Sequence, residues 1–598
     1  MYQRSVLLSV PKSQSIDIEF KDLDYTVQVG FRGPKKQILK EISGSFKSGE
    51  LSAIMGPSGS GKSSLLNILT GLERKNVKGK VSYIHGKVEK SWNVYKKQAC
   101  YILQDDQLNP LFSVNEVMRM AADLKLGHSL NSKGKQMVID DVLETLDLLR
   151  TKDTRCDKLS GGQRKRLSIA LELVDNPPVV FLDEPTTGLD SLSSIQCVFM
   201  LKSLARSGRT IVCTIHQPSA AIYDMFDHVY MLADGRCMYQ GAAFNTVSYF
   251  GTLGLHCPQY HNPADYAIEV VSGEHGDFSH HLSAASEDSS WRSSGPLKSD
   301  KFNGISRTHS QEGKTTVLIT SPSEFTKFLV LVRRCTIQLY RDWTVTHLKL
   351  LLHFLVGALL GALFTDSGSD GSKTISNIGF LIATSVYLCY TSMMPAVLKF
   401  PSELPVLRKE HFNNWYKLRT YYAAFIITNT PVQMVFAIVY SSISYYLSSQ
   451  PMEWFRFLMF ASSAILTTLI AESFGLVLGT TVNPVNGTFL GAISVCAMLI
   501  FAGFLVLYTH MTPFWYMVSY LSYLRYSMEA MVSALYGYGR ETMFCPDTYC
   551  HYRIPQTLIN ELGMKGDGFW FDMAMLTINT VVLQSIAYCT LKRKLNRF

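Results

Sequence analysis

The hydrophobic pattern in the first part of the chain is that of a buried parallel sheet. Short apolar runs alternate with helical stretches, and the runs Leu51–Met55, Val179–Leu182 and Ile211–Ile215 are almost wholly apolar. Strands that are apolar at nearly every position are typical of a sheet covered on both faces. The pattern predicts an α/β nucleotide-binding domain over residues 16–272, preceded by a tail at residues 1–15.

The last part of the chain contains long stretches without a charged side chain. No Asp, Glu, Lys or Arg occurs within residues 374–398, 420–450 or 473–524. A soluble domain needs charge on its surface, whereas a membrane-spanning helix needs ~20 apolar residues. An all-α transmembrane domain is therefore predicted over residues 345–598, with one large external loop at 509–570. Six segments are long and apolar enough to span a membrane: 347–365, 375–398, 420–447, 455–480, 485–508 and 571–591.

Two segments connect these predicted domains. Residues 273–322 are rich in Ser, Gly, His and Asp, which predicts a flexible linker. Residues 323–344 then place apolar side chains at helical spacing among Lys327, Arg333 and Arg334. We interpret this second segment as an amphipathic connecting helix at the cytoplasmic membrane interface, and a packed surface helix is the alternative.

Composition and charge support a membrane protein. Charged residues are 18% of the 598 residues, and the mean hydropathy is +0.09. The net charge of +9 does not indicate nucleic acid, because many basic residues flank the apolar segments, as in residues 399–419 and 592–597. Under the positive-inside rule this distribution places both termini in the cytosol. We expect an integral multi-pass protein of the plasma membrane or an endomembrane.

The twelve cysteines fall into different environments. Six of them, from Cys100 to Cys257, lie in the first part of the chain at no metal-ligand spacing, and we interpret them as reduced core thiols. Cys545 and Cys550 lie in the predicted external loop. An oxidising space favours an intramolecular disulfide between them, and two free thiols are the alternative.

A glycine-rich loop follows the first apolar run. In the pattern G-x-x-x-x-G-K-S the backbone N–H groups wrap the phosphates, the lysine reaches the β- and γ-phosphate oxygens, and the serine binds Mg²⁺. Lys62 and Ser63 occupy the last two positions of this pattern. The predicted nucleotide-binding residues of the loop are Gly56, Pro57, Ser58, Gly59, Ser60, Gly61, Lys62, Ser63 and Ser64.

Two further motifs suit the chemistry of a bound nucleotide. The run Val179–Leu182 ends in Asp183 and Glu184, of which the first can hold Mg²⁺ and the second can polarise an attacking water. Two solvated carboxylates at a strand end are the alternative. A second turn precedes a helix, whose N-terminus offers a positive dipole end to phosphate. That turn consists of Ser160, Gly161, Gly162 and Gln163.

The three motifs, in this order, resemble those of an ATP-binding cassette ATPase over about residues 16–270. The resemblance implies ATP hydrolysis with Mg²⁺. It assigns Gln104 to the loop that senses the γ-phosphate, and His216 to the switch histidine. With Glu184 these are the expected catalytic residues. The expected metal ligands are Ser63, Gln104 and Asp183.

The same resemblance implies a dimer. In the family, the Ser-Gly-Gly-Gln turn of one copy faces the phosphate loop of another, and residues Gly188–Asp190 match a dimer-contact loop. This chain has one turn and one phosphate loop, so it should be a half-transporter that forms a homodimer or a heterodimer. Tyr25 is the nearest match to the aromatic residue on which the family stacks adenine.

The order of the domains resembles subfamily G, the White and sterol-type half-transporters. Asn262–Tyr266, Phe400–Glu403 and Arg408–Glu410 carry that resemblance. It implies that the charged loop after the second span docks on the ATPase domain and passes its closure to the spans. A solvated loop is the alternative.

The resemblance also puts a substrate cavity between the second and fifth spans. The matching wall and valve residues carry no charge, which suits a sterol or another lipid, although lipid-facing or packing residues are the alternative. Glu472 interrupts the fourth span, and we interpret it as a packing or hydrogen-bonding group, with a proton- or substrate-linked role as the alternative. The predicted path residues are Tyr390, Met393, Met394, Phe501, Phe504 and Leu505.

These observations lead to a leading hypothesis and two rivals. The leading one is an ATP-driven half-transporter that exports sterols or other lipids and most resembles the cholesterol and phospholipid exporter branch. The first rival is a White-like heterodimer subunit that carries pigment precursors or other small metabolites. The second is a membrane-anchored ATPase that regulates a channel. Membrane lipids and an apolar substrate are the expected partners, and nucleic acid is not.

Overall fold

The computed structural model describes residues 10, 14–28, 33–86, 88–128, 130–286, 321–546 and 548–596. The chain divides into two compact units. The first comprises residues up to 327 together with 409–417, and the second comprises residues 328–408 and those from 418 onward. Most of the predicted N-terminal tail and residues 287–320 of the predicted linker lie outside the described residues.

The strands of the first unit form two sheets. A six-stranded sheet has the order β10-β9-β3-β8-β7-β6, and a four-stranded sheet has the order β2-β1-β4-β5. In chain order the strands are β1 (Asp17–Gln28), β2 (Lys35–Phe46), β3 (Leu51–Met55), β4 (Val77–His85), β5 (Val88–Lys90), β6 (Ala99–Ile102), β7 (Val179–Leu182), β8 (Thr210–Thr214), β9 (His228–Ala233) and β10 (Arg236–Ala242).

The six-stranded sheet is the one that the apolar runs predicted. β3, β6, β7 and β8 pair in parallel, and β9 continues the parallel set before β10 turns back antiparallel. Every residue of β3, β7 and β8 is buried, because helices cover both faces of the sheet. The α/β class of this unit is confirmed.

The four-stranded sheet is antiparallel, and the sequence pattern did not predict it. β1 pairs with both β2 and β4. Its inner face joins the core of the unit through aromatic contacts, in which Phe20 meets the rings of Phe46 and Tyr230 at centroid distances of 5.8 and 5.6 Å. Aromatic pairs of this kind add about 0.5–1.5 kcal/mol beyond the area that they bury.

The helices of the first unit fill the connections between the strands and extend to residue 285. They are α1 (Lys62–Thr70), α2 (Trp92–Tyr95), α3 (Val114–Lys125), α4 (Ser132–Thr145), α5 (Gly161–Leu173), α6 (Ser191–Arg206), α7 (Ala220–Tyr223), α8 (Thr246–Thr252), α9 (Pro263–Ser272) and α10 (Ser279–Ala285).

Helix α10 lies inside the segment for which the sequence predicted a flexible linker. Leu282 of this helix is fully buried, and its carbonyl oxygen accepts a hydrogen bond of 3.0 Å from the Tyr249 hydroxyl. Ser286 donates to the Cys237 carbonyl at 3.1 Å. A single apolar anchor therefore fixes residues 279–286, and the prediction of flexibility is wrong for this part. The predicted connecting helix is present as α11 (Glu324–Arg341).

The second unit is helical. Residues Trp343–Leu348 form a short π-helical stretch before its first long helix. The helices that follow α11 are α12 (Lys349–Leu363), α13 (Thr374–Phe412), α14 (Leu418–Leu447), α15 (Trp454–Thr481), α16 (Pro484–Ile500), α17 (Pro513–Ser519), α18 (Tyr523–Tyr536), α19 (Pro555–Leu562) and α20 (Phe569–Asn596).

Five helical segments among the described residues are long and apolar enough to cross a membrane. These are Trp343–Leu363, Gly371–Phe412, Leu418–Leu447, Trp454–Thr481 and Phe569–Asn596. The segment predicted as the fifth span, 485–508, contains the shorter apolar helix α16 of 17 residues. The transmembrane class is confirmed.

The bounds predicted for the fifth span are wrong because the chain turns after Ile500. Gly503 has a φ of +85°, and a Cβ atom there would lie 2.4 Å from the Tyr508 ring. Both the backbone conformation and the close contact with Tyr508 therefore require glycine at position 503, where the chain turns away from the direction of α16. Phe501, Phe504 and Leu505 lie in this turn rather than on a span.

The predicted external loop contains a buried helix. All 14 residues of α18 are buried, and α18 packs against α15 and α20. The charge-free run 473–524, which predicted a span followed by a loop, therefore contains α16 and the start of a second buried helix, α18. The second span also runs further than predicted, since α13 continues through residues 399–412 with Pro395, Pro401 and Pro405 inside it.

Candidate functional site

The phosphate loop connects β3 to α1 and needs glycine at two of its positions. Gly56 has a φ of +143°, and a Cβ atom there would lie 1.9 Å from the Leu232 carbonyl oxygen. Gly61 has a φ of +104° immediately before helix α1, and a Cβ atom would lie 2.7 Å from the Leu39 side chain. The loop backbone therefore packs directly against Leu232 and Leu39 and leads into the N-terminus of α1. Backbone N–H groups at a helix N-terminus can bind a phosphate group.

Two polar groups of the loop suit a phosphate. The Lys62 ammonium group is buried and donates to the carbonyl oxygens of Gly56 and Pro57 at 2.7 and 3.0 Å. Burial lowers the pKa of Lys62, and the carboxylates of Glu184 and Asp183 oppose that shift. The buried Ser60 hydroxyl has no hydrogen-bond partner among the described residues. These donors fit the phosphate groups of a nucleoside triphosphate.

Two of the three predicted metal ligands, Ser63 and Asp183, meet at the end of β7, whereas Gln104 bonds to Glu184. Asp183 accepts hydrogen bonds from Thr214 at 2.7 Å, from Ser63 at 3.5 Å and from the Tyr101 hydroxyl at 3.3 Å. Hydroxyl and carboxylate oxygens are the ligands that Mg²⁺ prefers. Ser63 and Asp183 are therefore placed to share one cation.

The predicted catalytic carboxylate lies beside the predicted sensor glutamine. Gln104 and Thr187 both donate to Glu184 Oε2 at 2.9 Å, and the Glu184 N–H donates to Thr214 at 2.9 Å. Glu184 has a φ of +44°, which is uncommon for a residue other than glycine and is often found at functional sites. These bonds hold the carboxylate at the strand end, next to the cation ligands.

The predicted switch histidine reaches the phosphate loop. His216 follows β8, and its Nε2 atom lies 3.0 Å from the Ser58 hydroxyl. His216 and Ser58 are both exposed. One face of the sheet edge thus brings together Ser58, Ser63, Gln104, Asp183, Glu184 and His216.

The Ser-Gly-Gly-Gln turn is formed as expected but lies apart from this cluster. Ser160 and Gln163 make a reciprocal capping box at the start of α5, with distances of 3.3 and 3.1 Å. No hydrogen bond among the described residues joins Ser160–Gln163 to Gly56–Ser64. A Cβ atom on Gly161 would lie 3.6 Å from the Gly188 carbonyl oxygen, so the predicted dimer-contact loop packs beside the turn.

Tyr25 does not suit the adenine-stacking role. It is 8% exposed and belongs to the core of the unit. Little of its ring is exposed to stack on a base.

The segment 409–417 is part of the first unit and contacts the strand that leads to Gln104. Asn413 accepts a hydrogen bond from the Tyr101 N–H and donates to the Tyr101 carbonyl oxygen, both at 3.0 Å. The Tyr101 hydroxyl in turn lies 3.0 Å from Asn67 and 3.3 Å from Asp183. Sequence reasoning missed Asn413, because an uncharged residue in a charged loop carries no local signal.

The charged patch that the sequence assigned to docking is divided. Lys409 and Glu410 are buried within the first unit. Glu403 belongs to the second unit, where it accepts a hydrogen bond from Gln338 at 2.6 Å and lies 3.7 Å from Lys399. Of the predicted docking patch, Lys409 and Glu410 therefore belong to the first unit and Glu403 does not.

A buried ion pair lies beneath the same segment. Lys125 donates to Glu172 at 2.8 Å and to Asp175 at 2.9 Å. The Trp415 indole N–H donates to the same Glu172 oxygen at 3.3 Å. Glu172 lies in the last turn of α5, so the helix that begins at the Ser-Gly-Gly-Gln turn ends against Trp415.

The predicted substrate-path residues differ in exposure. Met393 is fully buried, and its Cε atom would lie 2.9 Å from a Cβ atom on Gly491, so it packs between helices rather than facing a path. Tyr390 and Leu505 are exposed, and Met394 and Phe504 are partly buried. Phe501 stacks on Trp515 at a centroid distance of 6.1 Å.

Two other sequence expectations concern the cysteines and the carboxylate within the fourth span. Cys545 and Cys550 are joined in a disulfide, and the six cysteines from Cys100 to Cys257 are unpaired. Glu472 is buried and accepts a hydrogen bond from Gln433 at 3.3 Å. Gln433 in turn accepts from Lys349 at 2.7 Å, so a chain of polar groups joins α12, α14 and α15.

Comparison with protein families matches both units. The ABC transporter family matches residues 39–187, which contain the phosphate loop, the Ser-Gly-Gly-Gln turn and the two acids. The ABC-2 type transporter family matches residues 326–536, and a second family of that description matches residues 216–291.

Curated relatives match over nearly the whole chain. Protein scarlet of Drosophila melanogaster is 30% identical over 90% of this chain and 82% of its own length. The bovine broad substrate specificity ATP-binding cassette transporter ABCG2 is 28% identical over 98% of this chain and 97% of its own length. ABC transporter G family member 1 of Dictyostelium discoideum is 26% identical over 97% of this chain and 85% of its own length.

Proposed function

The chain belongs to subfamily G of the ATP-binding cassette transporters, and it is an ATPase whose hydrolysis is coupled to transport. We propose that two copies of the chain pair head to tail and export a sterol or another lipid. In the proposed dimer, Ser160–Gln163 of one copy close over Gly56–Ser64 of the other. Two observations support the pairing. The turn is capped and ready to present N–H groups, yet it bonds to no residue of its own phosphate loop among the described residues.

We assign the chemistry of the site to the residues that the fold brings together. A bound Mg·ATP would supply the phosphoanhydride bond that is broken. Lys62 and the loop N–H groups would hold the β- and γ-phosphates, and Ser63 and Asp183 would hold the cation with Gln104 nearby. Glu184 accepts a proton from the attacking water, and His216 orients the γ-phosphate from the side of Ser58.

The observation that carries the transport function is the contact of Asn413 with Tyr101. Residues 409–417 connect α13 to α14, two helices long enough to span a membrane, and yet belong to the first unit. Through Tyr101 the segment bonds to the strand before Gln104 and approaches Asp183. A movement of the sheet edge on nucleotide closure would therefore be transmitted directly to both helices.

The substrate class is proposed from the chemistry of the second unit. Its helices present exposed aromatic and Met side chains, and no charged residue occurs within 374–398 or 473–524. An apolar ligand needs such a surface and gains nothing from charge. The alternative is a White-like heterodimer subunit that carries pigment precursors or other small metabolites.

The test uses the purified chain alone in proteoliposomes. We expect cholesterol or phospholipid in the bilayer to raise the rate of ATP hydrolysis, and Glu184→Gln to abolish that hydrolysis. A chain that hydrolyses no ATP until a second, different subunit is added would favour the heterodimer. Flux that persists in Glu184→Gln would contradict ATP-driven transport and favour a channel regulator.

A further inference from the structure

The second unit has a cavity of about 560 Å³ at the end of the bundle that carries the disulfide. Its walls come from the turn after α12, the turn between α14 and α15, and the chain that leaves α18. The residues that matter to the argument are Gly368, Tyr446, Gln450, Met452 and Arg540. All of them belong to the same unit.

Arg540 supplies an unpaired positive charge to this cavity. Its guanidinium group donates to the Leu535 carbonyl at 2.9 Å and to the Gly368 carbonyl, and it lies 5.0 Å from the centre of the Tyr536 ring. It forms no ion pair with any carboxylate in the part of the chain that the structure describes. A guanidinium group carries five N–H donors, so further donors remain for a ligand.

Two carboxylates near the cavity already have other partners. Glu453 pairs with Arg456 at 3.0 Å, and Asp366 accepts a hydrogen bond from Ser449 at 3.0 Å. A half-buried cation without a counter-ion is costly, and an anion in the cavity would remove that cost. The charge of the site therefore selects an anionic group.

The floor of the cavity is rigid. Gln450 is buried and donates to Asn377 at 2.7 Å, and Asn377 donates to the Tyr536 hydroxyl at 2.7 Å. Gly368 packs so closely that a Cβ atom there would lie 2.6 Å from Gln450 Cα. Arg540 is thus held in position before any ligand arrives, which lowers the entropy cost of binding.

The rim of the cavity is apolar and carries side chains that favour the membrane interface. Tyr446 and Met452 are exposed at the end of α14 and just before α15, and Trp454 is exposed at the first residue of α15. Exposed Tyr and Trp side chains at the ends of membrane helices mark the interface between headgroups and acyl chains. An anion at this depth, next to apolar side chains, is the phosphate of a phospholipid.

We propose that this cavity is a binding site for one phospholipid, whose phosphate pairs with Arg540 and whose acyl chain lies along Tyr446 and Met452. The site is separate from the nucleotide site and from the predicted substrate path. It does not depend on which substrate the protein transports.

The test is a titration of the full-length chain in detergent, in which native mass spectrometry counts bound dioleoylphosphatidylglycerol. We expect Arg540→Gln to weaken binding by about 10-fold, since a charge-assisted hydrogen-bonded pair is lost. Arg553→Gln removes the same charge from an exposed position outside the cavity and should leave binding unchanged. Dioleoylglycerol, which has the same acyl chains and no phosphate, should bind at least 10-fold more weakly than the phospholipid.

Three results would overturn the proposal. They are parent-like binding by Arg540→Gln, equal binding of dioleoylglycerol, and inorganic phosphate that binds as tightly as the phospholipid, which would indicate a site for free anions. If Arg540→Gln does not fold, Tyr446→Ala tests the proposed contact with the acyl chain instead. That variant keeps the hydrogen bonds of Arg540, and we expect several-fold weaker phospholipid binding with unchanged inorganic phosphate binding. Unchanged phospholipid binding in Tyr446→Ala would then refute the site.

Discussion

Asn413 pairs with the backbone of Tyr101 as a neighbouring strand would, accepting from its N–H and donating to its carbonyl oxygen at 3.0 Å each. Both residues lie in the first unit, although 312 positions separate them in the chain. The strand that contains Tyr101 leads to Gln104, whose amide reaches Glu184. The segment between two long apolar helices is in this way connected to the proposed catalytic carboxylate through Tyr101 and, three residues later, Gln104.

The first prediction concerns this pairing. Asn413→Ala removes two hydrogen bonds of about 0.5–1.5 kcal/mol each, without touching the nucleotide site. We expect basal ATP hydrolysis to persist and its stimulation by cholesterol in proteoliposomes to fall several-fold. Asn93→Ala, at an exposed position of α2, is the matched control. Stimulation that survives in Asn413→Ala would show that the contact does not transmit closure.

The second prediction concerns the proposed base. Glu184→Gln keeps the shape of the side chain and the hydrogen bond from Thr187, but it can no longer accept a proton from water. General-base catalysis contributes roughly 10²–10⁴-fold, so we expect ATP turnover to fall by about 100-fold or more. ATP should still bind, as measured by retention of a labelled nucleotide. Glu274→Gln, on an exposed turn, serves as the control, and a Glu184→Gln protein with parental turnover would remove Glu184 from the mechanism.

The sequence predicted the nucleotide site well because its information is local. The phosphate loop, the Ser-Gly-Gly-Gln turn and the Asp183–Glu184 pair are each short motifs fixed to a strand end or a helix start, and their order set the α/β class. Asn413 and Trp415 lay outside this reach, because their partners Tyr101 and Glu172 are hundreds of residues away.

The membrane unit shows a second limit of sequence reasoning. Hydropathy finds apolar length but does not show where a helix stops, so the run 473–524 suggested one span and a loop. The turn at Gly503 and the burial of α18 arise from packing against Tyr508 and against α15 and α20. Lys409 and Glu410 are likewise buried although charged residues rarely are, and no local pattern distinguishes these two from solvated charges.

The third prediction concerns the buried pair of Lys125 and Glu172. Lys125→Met leaves Glu172 buried without its cation, and losing one partner of a buried pair costs about 3–5 kcal/mol. We expect a matching fall in the free energy of unfolding of the first unit, measured by chemical denaturation of the full chain. Lys80→Met, in an exposed pair with Glu89, should cost about 1 kcal/mol or less. Equal losses in the two variants would contradict the importance of burial.

The same pair sets a dependence on pH. Burial alone lowers the pKa of Lys125, but the carboxylates of Asp175 and Glu172 outweigh it and raise the pKa above its ordinary value. A raised folded-state pKa means that the stability from the pair is complete below the unfolded value, ~10.4, and is lost as the pH rises through the folded value. We therefore expect the difference in the free energy of unfolding between the parent and Lys125→Met to be constant from pH 6 to 9. This difference should become smaller only in strong alkali, where Lys125 loses its proton.

The last prediction concerns the disulfide and the proposed dimer. Cys545 and Cys550 are bonded to each other, so neither is available to link two copies. The loop that they close is short, and loop entropy gives such a bond about 2 kcal/mol. Double replacement by serine should loosen the local pairing of Gly371 with Phe544, seen as faster hydrogen exchange there, and should leave ATP turnover unchanged. On a non-reducing denaturing gel both proteins should run as single chains, while native mass spectrometry shows a dimer. A covalent dimer that disappears on reduction in the parent alone would contradict the non-covalent pairing.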